Sequence, residues 1–293
     1  MAGINTNRTT INLPVEVSSE ILQKTQEASA IMRMARRIPL PGRGAAIPVI
    51  NGDPEAAWVD ETNKKPVSNP ALDTKIMQAY KLAVIVPFST EFRRDVAALY
   101  DAIVARLPGA LGLKFDQTVI SGTAPGSNFD VLTNATKQTL IASQNATTYD
   151  GLVAAFSDIA MHNGHLNGFV MSPAGEGILL GAQDSVGRPL FINSVADGAI
   201  PRILGAPTLS SRGAYKAAAG SAPAIVGVAG DWTKAMFGTV EGVQVSFSDQ
   251  ATLTIGNEQV NLWERNMFAV RAEIEVGFCA DVACFNLLTG ATA

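Results

Sequence analysis

The sequence predicts a mixed α+β fold with long strands and one long helix, and three observations support this prediction. Apolar residues occupy every second position from Phe268 to Phe278 and alternate with Arg271, Glu273 and Glu275, as expected of a long strand with one buried face. Apolar residues from Val96 to Leu107 recur at helical spacing, as expected of a long amphipathic helix. The chain shows no repeated strand–helix–strand pattern, which argues against a parallel α/β sheet.

The part of the chain before the long helix is predicted to be mainly extended. We expect an N-terminal arm over residues 1–37, because it starts polar and aperiodic, with a short helix from Pro14. The sequence DETNKKPVSNP is typical of a turn. It follows the strand-like segments Ala46–Val49 and Ala57–Val59 and precedes an extended run from Thr74 to Phe88. Two strands alone are marginally stable in water, so this long excursion is expected to lie on a neighbouring subunit.

The long helix is predicted to begin after Ser89, whose side chain suits an N-cap, and to continue to Leu107. Pro108 lacks the amide that an α-helix requires, so Pro108-Gly109 is expected to kink or break it. A second helical piece is predicted over Ala110–Ile120, which makes Pro108 a candidate hinge.

A second clear helix is predicted from Thr147, an N-cap residue, with Asp150 in the first turn, where a negative charge suits the helix dipole. Gly164 is its expected stop. Its predicted apolar stripe consists of Leu152, Phe156, Ile159 and Ala160.

The rest of the chain is predicted to be dominated by strands. Phe169–Met171 indicates a buried strand, and Glu176–Gln183 a short helix. Strands and turns are expected from Ile192 to Val260, ahead of the long alternating strand.

Composition argues against tight binding to nucleic acid and leaves other classes of function open. Hydrophobic residues make up 47% of the chain, charged residues only 16%, and the formal net charge is −4. Tight, salt-sensitive DNA binding requires a basic field, which this chain lacks overall. A surface of low charge suits a protein that buries much of its exterior against partners, and it also fits an ordinary enzyme rich in small residues.

The expected compartment is a reducing one. The N-terminus shows no apolar signal core, and no apolar run reaches the roughly 18 residues that a membrane span needs. Cys279 and Cys284 lie five apart in an apparent strand and therefore point to opposite faces. A disulfide between them is awkward, so both are predicted to be free thiols.

The order of these elements resembles the Hong Kong 97-like major capsid proteins of tailed phages over nearly the whole chain. The text LAVIVPFSTEFRRD resembles the junction between the E-loop hairpin and the spine helix of that family, and VISGTAPGS the turn after the spine helix. GFVMSPAGEGILLGAQDSVGRPLF, RILGAPTLSS and AIVGVAGDWTKAMFGTVEGVQVSFSDQAT resemble successive parts of the A-domain. ERNMFAVRAEIEVGFCADVACFNLLTG resembles the closing P-domain strands.

The resemblance implies the α+β Hong Kong 97-like capsid fold, divided into five regions. The expected regions are an N-terminal arm (1–37), an E-loop hairpin (38–88), a P-domain spine helix with the following turn (89–146), an A-domain (147–260) and C-terminal P-domain strands (261–293). Some family members carry a cleaved N-terminal scaffolding segment. Here the arm begins close to Met1, so we expect a chain that is either already mature or made without that segment, and the resemblance then implies a separate scaffolding protein.

The implied function is a late structural protein of the virion, without cofactor or enzymatic activity. By resemblance, it assembles with itself, as hexamers and pentamers, into an icosahedral shell around double-stranded DNA, without sequence-specific binding. The implied partners are portal, scaffolding and decoration proteins, with assembly in the host bacterial cytoplasm and no membrane. Two alternatives remain open: an encapsulin-like bacterial compartment shell, and a globular hydrolase with a concealed site.

Several residues are candidates for contacts between subunits. Trp58 is a large apolar residue in a polar arm, suited to an interface or to packing within its own hairpin. Lys64 and Lys65 lie at the predicted tip, where lysines also serve solubility. Some family members join an E-loop lysine to a neighbour's asparagine by an isopeptide bond, and Asn286 is the guessed acceptor here.

A basic cluster and several polar motifs complete the candidates. The cluster is Arg33, Arg36 and Arg37, which suits contact with DNA, with a neighbour's carboxylates, or with solvent alone. His162 and His165 are too few for a closed metal site, and GTAPGS lacks the lysine of a phosphate loop. Asp150 and Asp158 are eight residues apart and too distant for a catalytic carboxylate pair.

Overall fold

The computed structural model of the chain describes residues 29–42, 44–51, 56, 58–59, 64–65, 67, 71–89, 96–141, 147–183, 188, 190, 202–255 and 258–291. The helix predicted from Pro14 lies outside these residues, as does most of the predicted tip. The helices are α1 (Ala30–Met34), α2 (Val96–Ser121), α3 (Thr148–Met161) and α4 (Pro173–Leu180). The strands are β1 (Arg36–Pro39), β2 (Ala45–Asn51), β3 (Ala71–Met77), β4 (Tyr80–Ser89), β5 (Thr136–Thr139), β6 (Gly168–Met171), β7 (Arg202–Ile203), β8 (Ala206–Ser210), β9 (Ile225–Gly230), β10 (Ala235–Thr239), β11 (Gln244–Ser248), β12 (Thr252–Ile255), β13 (Glu258–Asn261), β14 (Met267–Ala280) and β15 (Phe285–Thr289).

The long alternating strand is confirmed as β14 and forms the centre of the first sheet. It pairs antiparallel with β4 along one edge and with β11 and then β10 along the other, and β1 adds in parallel to β10. Val270, Ile274 and Phe278 are buried on one face, whereas Arg271 is exposed. The last residues of β14 are buried on both faces, because the root of the β2–β3 hairpin covers the second face near Cys279.

The second sheet has six strands in the order β5-β15-β9-β6-β8-β7 and is covered on both faces. Val170 and Leu287 point to the core shared with α1 and α2, whereas Phe169 and Leu288 point to a core under α3 and α4. This alternation is the period-two geometry of a strand buried on both sides. The prediction of a buried strand at Phe169–Met171 is confirmed as β6.

Helix α2 runs through Pro108 and Gly109 without interruption, so the predicted division into two helices is wrong. Pro108 removes one intrahelical hydrogen bond, but the buried side chains of Leu107 and Leu111 hold both sides of it against the first sheet. Ser89, the predicted N-cap, is instead the last residue of β4.

Helix α3 begins as predicted but turns a different face to the sheet. The side chain of Thr147 accepts from the amide of Asp150, whose carboxylate accepts from the amide of Thr147, which is a capping box. Phe156 and Ala160, predicted as buried, are exposed, because the small residue Gly151 faces the sheet instead. A Cβ atom on Gly151 would collide with the carbonyl of Thr139.

The ends of two helices also differ from the prediction. Helix α3 stops at Met161, and the left-handed residue after it is Asn163, with φ of 56°, rather than Gly164. Asparagine is the usual non-glycine residue in this conformation. Helix α4 starts at Pro173, earlier than predicted, because Ser172 caps it by accepting from the amide of Gly175 at 3.1 Å.

Cys279 and Cys284 are free and buried. They do not share a strand, because β14 ends at Ala280 and Cys284 follows in a 3-10 turn. Burial raises the pKa of Cys279 to about 11, so its thiol is protonated at neutral pH.

Candidate assembly surfaces

The β2–β3 hairpin stands apart from both sheets. Its two strands pair only with each other in the described part of the chain, and residues 52–70 connect them. Met77 at its root is fully buried against Leu40 and Cys279, whereas Ile76, one position earlier, is half exposed. The hairpin is therefore anchored at its root and leaves apolar surface exposed along its length.

The root is fixed by a polar contact as well as by packing. The Nζ of Lys75 lies 2.6 Å from a carboxylate oxygen of Asp130 and donates to the carbonyl of Ala280 at 2.8 Å. The same carboxylate accepts from the amide of Ala280 at 2.9 Å. These bonds hold the hairpin to the end of β14 and so set its direction.

The connection between the strands carries the predicted contact residues. Trp58 is fully exposed, so its own hairpin does not bury it, and Val67 is largely exposed as well. Trp58 and Val59 lie outside any strand, contrary to the strand predicted at 57–59, of which Ala57 is outside the described residues. Lys64 and Lys65 are exposed. An exposed indole is unfavourable in water, and binding to another protein surface would bury it.

Asn286 does not suit the role of cross-link acceptor. It lies on β15 inside the second sheet, is fully buried, and donates from Nδ2 to the carbonyl of Ala155 at 3.3 Å. Its side chain is therefore not accessible to a lysine from another subunit in this conformation.

The arginine cluster lies on the body of the protein. Arg33 is on α1, and Arg36 and Arg37 are on β1, all with exposed side chains. Residues 29–37, predicted as arm, are packed in place, because Ala30 and Ile31 are buried in the core and β1 pairs with β10. Arg36 and Arg37 are neighbours on a strand and point to opposite sides of the sheet, so the three arginines are fixed in place but do not share one surface.

Asp116 is a buried carboxylate that sequence reasoning missed. It accepts from the hydroxyls of Ser29 at 2.6 Å and Ser211 at 2.7 Å, and from the amides of Ala30 at 3.0 Å and Ile31 at 3.4 Å. It thereby ties α1 and the turn after β8 to the C-terminal part of α2. The sequence feature that could have predicted its burial is its position on the apolar face of α2, next to Phe115.

A second clamp joins the loop after α3 to the turn after β9. Asp231 accepts from the amide of His165 at 2.9 Å, from Nδ2 of Asn167 at 2.9 Å, and from the hydroxyl of Thr233 at 2.6 Å. Asp231 belongs to the sequence GDWTK, whose role is therefore to join these two loops.

We expect Asp231→Ala to lower the free energy of unfolding by about 2 kcal/mol, because several hydrogen bonds to a buried carboxylate are lost. Urea denaturation of the isolated subunit measures this change. The matched control is Asp281→Ala, since the Asp281 side chain is half exposed and lies 3.9 Å from Lys234. The control is expected to change stability by less than about 0.5 kcal/mol.

The effect of Asp231 should depend on pH. Burial alone would raise its pKa, but hydrogen bonds from His165 and Thr233, with the charge of Lys234, place the pKa below the ordinary value of 3.8. Its stabilisation is therefore present above pH 3.8 and is lost as the pH falls further. A difference between wild type and Asp231→Ala that stays constant down to pH 3 would contradict this assignment.

The polar motifs weighed in the sequence do not form a metal site among the described residues. Nδ1 of His162 lies 2.8 Å from the carbonyl of Asp158, at the end of α3, and His165 contributes its backbone amide to Asp231. None of the helices described is long and apolar enough to cross a membrane.

The chain is similar to known capsid proteins over almost its full length. Residues 10–280 match the phage capsid family. The probable major capsid protein gp17 of Mycobacterium phage L5 is 30% identical over 301 residues, which cover 96% of this chain and 90% of that protein. Its counterpart in Mycobacterium phage D29 is 29% identical, over 94% of this chain and 89% of that protein.

Solved structures agree with the sequence relatives. A chain from Gordonia phage Cozz aligns with a TM-score of 0.72 at 23% identity, over 90% of this chain and 87% of that chain. The predicted Hong Kong 97-like fold is thereby confirmed. With both the sequence match and the fold in agreement, this chain belongs to the phage capsid family.

Proposed function

We propose that the protein is the major capsid protein of a tailed phage and assembles with itself into the icosahedral shell of the virion. Family membership supports this function, and the structural observation that carries it is the β2–β3 hairpin with its exposed Trp58. An anchored arm with unburied apolar surface is suited to lie on a neighbouring subunit. An encapsulin-like compartment shell is not favoured, because the matching family and relatives are phage capsids.

The mechanism we propose is assembly through many weak contacts. Head-to-tail contacts between copies close into rings, here hexamers and pentamers, when the rotation between neighbours closes. Each copy would hold its neighbours through the hairpin and other surfaces at once, so individually weak contacts yield a stable shell. Weak contacts also allow wrongly placed subunits to dissociate before the shell closes.

The enclosed double-stranded DNA would be held without sequence-specific binding. The net charge of −4 opposes tight binding to phosphates, so the DNA would be confined by the wall. The exposed side chains of Arg33, Arg36 and Arg37 are candidates for contact with DNA or with a neighbour. Scaffolding, portal and decoration proteins are proposed partners, and assembly is proposed to take place in the host bacterial cytoplasm.

Electron microscopy and sedimentation of the expressed protein test this function. Closed shells, formed alone or with a co-expressed scaffolding protein, are the expected result. A protein that sediments as a small monomer under all of these conditions would contradict it and favour a globular enzyme.

Lys64 and Lys65 remain candidates for a covalent link between subunits. Each would form an isopeptide bond with a neighbour's asparagine, releasing ammonia, at an acceptor other than the buried Asn286. The test is gel electrophoresis of mature shells after boiling in detergent, which separates subunits that are not covalently linked. A ladder of linked subunits that disappears in the Lys64→Arg/Lys65→Arg variant supports the link, whereas a single monomer band in the wild type refutes it.

A further inference from the structure

The turn between β7 and β8 contains a residue that does not suit it. Leu204 and Gly205 have φ of 50° and 82° and join the paired residues Ile203 and Ala206, which is a two-residue hairpin of type I′ geometry. The first position of such a turn strongly favours Asn, Asp or Gly, and a bulky residue there is strained. The other non-glycine residues with positive φ among those described are asparagines.

The strain of Leu204 is not relieved by burial in its own subunit. Ile203 and Ala206 on either side of the turn are buried, but the side chain of Leu204 is 40% exposed. The hairpin is thus fixed to the sheet and presents a leucine to the outside. On the proposed shell function, we infer that Leu204 is an assembly anchor that docks on the exposed face of α3 in the next copy of this chain.

The positions of the two surfaces suit a head-to-tail contact. β7 is one edge strand of the second sheet and β5 is the other, and α3 packs over β5 and β15. Leu204 and α3 therefore lie towards opposite edges of the sheet. A ring of identical subunits requires two different surfaces of this kind, because each copy offers one surface to each neighbour.

The exposed face of α3 has the chemistry to receive the anchor. Tyr149, Val153 and Phe156 fall on one side of the helix, and Phe156 is 47% exposed. Asp150 is exposed next to this stripe, and the helix contains no lysine or arginine.

The β7–β8 turn that carries Leu204 has a charge opposite to that of the exposed face of α3. Arg202 lies beside Leu204 and is exposed. An apolar side chain next to a cation would thus meet an apolar stripe next to the carboxylate of Asp150, and such complementarity favours one docking orientation.

The Leu204→Asn variant distinguishes a docking role of Leu204 from a role in the stability of its own subunit. The two roles predict opposite changes in the melting temperature of the isolated subunit. Asparagine suits the turn, so the melting temperature of the isolated subunit should rise by about 2–4 °C. The concentration needed for shell assembly should nevertheless rise at least about tenfold, since the anchor is lost. A melting temperature that falls, or shells that form at the wild-type concentration, would overturn the inference.

A cysteine pair tests the partner surface directly. The double variant Leu204→Cys/Phe156→Cys, assembled and oxidised with diamide, should give disulfide-linked multimers on a non-reducing gel. The native thiols Cys279 and Cys284 are buried, and each single variant serves as the control. Multimers in the double variant alone support the contact. Wild-type-like shells that yield only monomers would refute it while leaving the shell function intact, whereas failure of the wild type to assemble at all would refute that function.

Discussion

Asp116→Ala is expected to destabilise the subunit by about 3 kcal/mol, among the larger effects of a single substitution. The carboxylate is fully buried and accepts from the hydroxyls of Ser29 and Ser211 and from the amides of Ala30 and Ile31. Alanine leaves these donors buried without an acceptor, and each such group carries a desolvation penalty. Urea denaturation of the subunit, at a concentration where it sediments as a monomer, measures the loss.

Two further variants define the origin of the effect. Asp116→Asn keeps the volume and one acceptor oxygen, and the serine hydroxyls can reorient, so its expected loss is only about 1 kcal/mol. Lys114→Ala alters an exposed side chain on the same helix and should be neutral within about 0.5 kcal/mol. If alanine and asparagine at position 116 have equal effects, the hydrogen bonds are not what stabilises this junction.

The same carboxyl should contribute to the pH dependence of stability. Burial raises the pKa of Asp116 above its ordinary value of 3.8, although hydrogen bonds from the two serines and the two amides act to lower it. The stabilisation from the protonated form is present below pH 3.8 and is lost as the pH rises through the pKa of the folded state. The advantage of wild type over Asp116→Asn should therefore be larger at pH 4 than at pH 7.

The elements that the sequence predicts well are those whose geometry is determined locally. The alternation from Phe268 to Phe278 is a period that only a strand satisfies, and β14 follows it. The start of α3 depends on Thr147 and Asp150, which are three residues apart and need no other part of the chain. Both features can be found without knowledge of tertiary contacts.

The sequence predictions are wrong where contacts between residues far apart in the chain determine the local structure. Pro108 does not break α2, because the first sheet supports the helix on both sides of it. Phe156 is exposed, because the close approach of Gly151 to Thr139 selects which face of α3 is buried. Asp116 acquires its partners from residues more than 80 positions away. The family resemblance anticipated the fold, but it did not place Asn286 inside the sheet.

Trp58→Ala should have the largest effect on assembly among the single substitutions considered, while leaving the subunit folded. The indole is fully exposed in the isolated chain, so its removal takes no packing from the core. Aromatic anchors buried at an interface typically contribute 2 kcal/mol or more, which corresponds to roughly thirtyfold in the affinity of one contact. Every subunit of a ring would lose the same contact, so we expect shells to be sparse or absent at concentrations where the wild type assembles.

The matched variant Trp58→Phe keeps an aromatic ring and should restore most assembly, which separates burial of the ring from other effects at this position. Fluorescence gives a second readout, because subtracting the Trp58→Phe spectrum from that of the wild type isolates Trp58 from Trp232 and Trp263. That difference spectrum should shift to the blue on assembly, when the indole leaves water. Normal shells from Trp58→Ala, or a difference spectrum unchanged by assembly, would show that Trp58 stays in solvent and that the hairpin binds its neighbour through other residues.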